Sequence, residues 1–180
     1  EPGDGWGTLD AGVLARRIPD FVHQVLNQGR AGPTAMLELQ TAADSGPVTW
    51  VQLDTPPDHE DAFDLMPSEV NVHAVVSGQI SPTEGGLNLE FHVFRDDDDG
   101  DYVTEKMGLV LSLQDPVTGL LKLSRRLARS LAIPFHEPPT GLMTTDGRAF
   151  RHFLRGLDNA MLLSGDLEIA LPADRASLIQ

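Results

Sequence analysis

The chain of 180 residues contains no cysteine, which removes disulfide frameworks, thiolate zinc sites and cysteine nucleophiles together. The redox compartment stays open, because a cysteine-free chain is acceptable on either side of a membrane. No apolar run approaches the roughly 18 residues needed to span a bilayer, and no signal-peptide pattern opens the chain. It begins at Glu1 rather than methionine. The expectation is therefore a fragment or a processed product, with the compartment left open between cytoplasm and periplasm.

Basic residues are scarce. Thirteen Lys and Arg stand against 27 Asp and Glu, a formal charge of −14. Residues 54–105 hold 14 acids and a single base, Arg95, whereas residues 107–180 hold 7 acids and 8 bases. Such a field repels phosphate backbones and argues against nucleic acid as the main partner. The simplest account of the acidic excess is a solvated surface.

The common catalytic signatures are missing as well. There is no G-x-x-x-x-G-K-[ST] loop, no G-x-G-x-x-G after a strand and no H-E-x-x-H helix. Gly3-x-Gly5-x-Gly7 has neither a preceding strand nor a final glycine. Val76-Ser77-Gly78 lacks the flanks of a nucleophile elbow. No catalytic residue, cofactor or metal ligand is assigned from the sequence.

What is present reads as architecture. A hydrophobic fraction of 41% suffices for a core, and the length suits one α/β domain with a small appended element. Leu9, Val13, Leu14, Ile18, Phe21, Val22, Val25 and Leu26 follow helical spacing, capped by Thr8 or Asp10 and stopped at Gly29. Pro19 lies inside that pattern, which predicts a kink near Ala15 or a split. Ala35–Thr41 and Val48–Leu53 read as strands, and His59–Met66 as a short helix capped by Asp58. Val72–Ile80, Leu87–Phe94 and Tyr102–Leu113 alternate with period two and predict an antiparallel meander. Its first turn is expected over Ser81–Gly86, and a slip of phase is allowed at Gly108. Asp115-Pro116 opens a helix carrying Leu120, Leu121, Leu123, Leu127 and Leu131. Pro134–Pro139 reads as a rigid linker. Thr145 or Asp146 then caps a helix with Phe150, Phe153, Leu154, Leu157, Met161 and Leu162.

The fold class expected is α/β in the α+β sense. It is a mixed, mainly antiparallel sheet whose meander is covered by helices 9–28 and 115–132. The division expected is a domain over 1–133, a linker over 134–145 and a helical element over 146–180.

Three groups of residues invite chemistry. In the turn Arg95–Asp101, placing Gly100 at the sixth EF-hand position puts Arg95 first and Lys106 twelfth, where carboxylates are required; a solvated hairpin turn is preferred. His73 and His92 could face each other across a hairpin, most simply as a surface pair. Lys122, Arg125, Arg126 and Arg129 share one helix face. They are either its solvent side or a contact surface for an acidic partner.

The order helix, strand, strand, short helix, meander, helix resembles the amino-terminal domain of TolB and its relatives, which in bacterial proteins often precedes tetratricopeptide repeats. Ala74–Ile80 followed by Leu87-Asn88-Leu89 resembles that family's strand, glycine, strand hairpin. Ala149–Gly156 resembles the entry into a first repeat helix. The likeness covers most of residues 8–160, without the family's opening strand and with a longer acidic turn.

The resemblance implies a non-catalytic interaction or assembly module of a bacterial envelope or regulatory protein. Its candidate contacts are Lys122, Arg125, Arg126, Arg129, Phe150, Phe153 and Leu157. One repeat cannot bury its own apolar face, so Phe150, Phe153 and Leu157 are expected to pack on the domain or on further repeats. The partner implied is a protein, engaged in part through the downstream helical region, with the oligomeric state open. Two alternatives come from other classes: a metal-dependent hydrolase using Asp97, Asp99 and His59, and a small-molecule sensor binding between sheet and helix.

Overall fold

The structure is a computed structural model. It describes residues 8–27, 34–35, 40–41, 49–50, 53, 55–66, 71–84, 86–96, 102–138 and 144–164. The elements in chain order are α1 (Thr8–Asn27), β1 (Gln40–Thr41), β2 (Thr49–Trp50), α2 (His59–Asp64), β3 (Ala74–Thr83), β4 (Gly86–Asp96), β5 (Tyr102–Ser112), α3 (Pro116–Ser130) and α4 (Gly147–Ser164). The class is α+β. β3, β4 and β5 form the three-stranded antiparallel meander, and β1 pairs with β2 as a separate antiparallel ribbon.

Period-two alternation sends Leu87, Leu89, Phe91 and Val93 of β4 to one face, where all are buried. Met107 and Leu111 of β5 stand opposite Phe91 and Leu87 on that face. Thr83 opposes Gly86, so the first turn is tighter than the expected Ser81–Gly86 and β3 runs on through Pro82. Proline is tolerated there because β3 is an edge strand, which needs no ladder donor on its outer side. The β4–β5 register is unbroken through Gly108, so no slip occurs. Alternation then puts Glu105 on the helix side of β5, opposite Val93. Phe94, on the other face, is buried outside the main core, and its ring lies 6.0 Å from that of His92.

α1, α3 and α4 share one core with the sheet, built from Leu14, Ile18, Val25, Leu120, Leu123, Leu127, Phe150 and Leu154 among others. Each fully buried leucine in it contributes about 1.5–3 kcal/mol. α1 is one helix with Pro19 inside it, not the two halves allowed for by the sequence. Buried anchors on both sides of the proline, Leu14 and Ile18 before and Phe21, Val22 and Val25 after, hold both turns to the same core and offset the lost hydrogen bond.

α4 packs into this core as well, although the sequence assigns it to a separate element after a linker. Phe21 and Phe150 meet edge to face at 5.5 Å. Asp158, 2% exposed, accepts from Arg16 Nε at 2.9 Å, Arg16 Nη2 at 2.7 Å and Arg17 Nε at 2.9 Å. The first turn of α4 is pinned below β5: Gly147 N donates to the Gln114 carbonyl at 3.2 Å, and a Cβ on Gly147 would fall 1.7 Å from the Leu113 oxygen.

The caps follow the sequence. Asp58 Oδ1 accepts from Asp61 N at 3.0 Å and Asp115 Oδ1 from Thr118 N at 3.3 Å. Asp146 Oδ1 accepts from Arg148 N and Ala149 N at 2.8 and 3.0 Å. The cap of α1 and its stop at Gly29 lie outside the described residues and side chains, as do most of the two strands expected over 35–53 and the acidic residues 97–101.

Candidate functional site: a basic recess at the end of helix α3

The carboxy-terminal end of α3 meets the helix-facing side of the sheet where its apolar ladder gives out. Beyond Val93 and Met107 that side carries Arg95 and Glu105. These two, with Arg126, Arg129 and Ser130 of α3, line an open recess of about 260 Å³.

The last carbonyls of a helix have no partner inside it, and here each is met from outside. Ala132 adopts a left-handed conformation, φ 53°. Ile133 N donates to the Ala128 carbonyl at 2.9 Å and Ala132 N to the Arg129 carbonyl at 3.2 Å, the two bonds of a Schellman motif. The Ser130 carbonyl accepts from Arg95 Nη1 at 3.2 Å, so a strand residue completes the cap and brings positive charge to the negative end of the helix. The Ser130 hydroxyl donates to Glu105 Oε2. Arg126 Nη1 donates to the Gly108 carbonyl of β5 at 3.0 Å. Arg95 Nε is buried and has no hydrogen-bond partner among the described residues, an unusual state for a charged donor.

The four bases of the sequence reading do lie on the exposed side of α3, but they are not equivalent. Arg125 pairs with Glu137 at 3.0 Å and stacks 5.5 Å above the Phe135 ring, which ties the chain after α3 back onto the helix. Arg126 and Arg129 turn into the recess, and Lys122 stands on the open surface. Of the three apolar candidates, Phe150 is 2% exposed and belongs to the core, so it offers no contact surface. Phe153 is half exposed and Leu157 partly buried.

The sequence reading missed Arg95, Glu105 and Ser130. Arg95 carried a signal, as the only base among 14 acids. Glu105 carried another, as the one carboxylate in an otherwise apolar alternation from Val103 to Leu113.

The histidines do not converge. His92 pairs in register with Ser77, not with His73, which precedes β3 and lies 3.4 Å from the Asn71 amide. His92 Nε2 sits 3.6 Å from Glu90, whose carboxylate also meets Lys106. That ammonium, first, and then His92 hold the Glu90 carboxyl below its ordinary range against a smaller opposing effect of burial. His23 is tied to Asn27 and Thr34, and His59 faces Glu60 at 3.8 Å. Among the described residues no group of three His, Asp or Glu side chains is placed to hold a metal ion. Asp97 and Asp99, expected beside His59 in the hydrolase alternative, lie outside them. Between sheet and helices, where a sensor would hold its ligand, Leu89, Met107, Leu111, Leu120 and Leu123 are packed at 0–1% exposure.

No described helix is long and apolar enough to cross a membrane. Comparison with protein-family models, curated proteins and solved structures finds no match to this chain.

Proposed function

We propose that the protein is a non-catalytic interaction module whose basic α3 side receives an acidic segment of a protein partner. This is the class implied by the resemblance to TolB amino-terminal domains. The observation that carries it is charge placement: on a chain of net −14, Lys122, Arg126 and Arg129 are exposed together along one helix. Neither Lys122 nor Arg129 makes an ion pair with any described residue. Opposed charge at such a rim speeds encounter and fixes register more than it deepens affinity. The half-exposed Phe153 of α4 is a second candidate contact, toward the downstream helical region.

Fluorescence anisotropy with a labelled Glu-rich peptide tests the reading. Charge reversal by Lys122→Glu with Arg129→Glu should abolish saturable binding while the circular dichroism spectrum and melting temperature stay at wild-type values. Equal binding by the reversed variant would remove α3 as the docking face.

A further inference from the structure

We infer that the recess at the end of α3 binds a dianionic phosphate group, free or as a monoester, with Arg95, Arg126 and Arg129 holding it. This names the chemistry of the α3 face and shares Arg126 and Arg129 with the docking reading, but it stands on a separate observation. Three guanidinium groups, those of Arg95 on the sheet and Arg126 and Arg129 on α3, line one recess of about 260 Å³. The Arg95 Nη1 bond to the Ser130 carbonyl fixes that guanidinium at the recess wall, so its charge is in place before an anion arrives.

Charge and shape choose among anions. Glu105 offsets one of the three guanidinium charges, and its Oε2 is occupied by the Ser130 hydroxyl, leaving a recess of net double positive charge. A carboxylate brings one charge and two coplanar oxygens, enough for one guanidinium fork. A phosphate monoester brings a charge of about −1.5 to −2 and three oxygens in separate directions, which matches three donors arriving from a strand and two helix turns. The overall charge of −14 does not forbid this, because exposed charges beyond roughly 8 Å are screened at physiological salt. A polymeric phosphate backbone, by contrast, would have to lie across the acidic surface as well.

The recess opens to solvent, so the phosphoryl group can be free or carried by a phosphorylated side chain. The test separates the two. Amide spectra of the whole chain are recorded during titration with inorganic phosphate, with a short phosphoserine peptide, and with the same peptide carrying glutamate. Saturable shifts centred on Arg95, Gly108 and Ser130 are expected with both phosphate probes. Tighter binding of the phosphopeptide assigns a peptide-borne group, and tighter binding of inorganic phosphate a free one. Arg129→Gln should weaken binding by roughly tenfold, and Arg129→Lys by less. Lys106→Gln, on the opposite face of the sheet, should leave it unchanged.

No saturable shift overturns the inference. So does equal affinity for the glutamate peptide, or an equal loss in Lys106→Gln, which would reduce the effect to general surface charge. Phosphate binding without any binding of a Glu-rich peptide would retain the recess and remove the docking reading, and the reverse would remove the recess alone.

Discussion

Replacing Ala132 by glycine should stabilise this protein. Ala132 closes α3 from a left-handed conformation, φ 53°, with its own N–H on the Arg129 carbonyl and the next N–H on that of Ala128. An L-residue with a Cβ pays about 1–2 kcal/mol to sit there, and glycine does not. Glycine in turn loses more freedom on folding, a cost of about 0.4–1 kcal/mol set in the unfolded chain. The balance favours Ala132→Gly by about 0.5–1 kcal/mol. The side chain is exposed, so no packing is lost. Urea unfolding followed by circular dichroism should show a higher midpoint at unchanged slope, the mark of a pure stability change. In a chain of this size the melting temperature should rise by about 1–4 °C. Ala132→Val, with a branched Cβ forced into the same region, should move both readouts the other way. A glycine variant less stable than wild type at equal slope would refute the reasoning, because it would mean that the cap bonds do not hold Ala132 in that conformation.

Other perturbations have equally definite outcomes. Asp158→Ala would take from Arg17, 1% exposed, its 2.9 Å carboxylate at the α1–α4 contact and leave it the more distant Asp20 carboxylate at 3.5 Å. A loss of about 1–3 kcal/mol is expected in denaturant unfolding, and a loss below about 0.5 kcal/mol would show that the cluster is solvated in solution. Gly147→Ala places a methyl group against the Leu113 carbonyl and should lower the melting temperature by driving α4 off the turn at 113–114. Hydrogen exchange should then be fastest in α4. The Asp146 carboxyl is held below its ordinary 3.8, first by the backbone N–H of Ala149 and then by that of Arg148. A lowered folded-state pKa gives a contribution that is complete above the unfolded value and lost as pH falls through the folded one. Wild type should therefore converge on Asp146→Ala as pH drops below about 4, and a gap that persists at low pH would contradict that origin.

The local chemistry of the chain determined most of its elements. Alternation over Leu87–Phe94 had to become a half-buried strand, because period two is the only geometry that gathers Leu87, Leu89, Phe91 and Val93 on one face. Asp58, Asp115 and the pair Thr145 or Asp146 marked three helix starts, since a side-chain oxygen before an apolar period satisfies amides left open by the helix. The structure gives the last cap to Asp146. The basic side of α3 was equally legible from the spacing of Lys122, Arg125, Arg126 and Arg129. Contacts distant in sequence were not. Pro19 signals a break in any isolated helix, and only the shared core on both sides of it keeps α1 whole. Phe150 and Asp158 read as the start of a separate element until packing set them against Phe21, Arg16 and Arg17. Arg95 and Ser130 stand 35 residues apart and meet because the meander and α3 end at the same edge of the core. Periodicity and capping act within a few residues and leave their mark on the string, whereas the recess arises from where two finished surfaces touch, which only the tertiary structure decides.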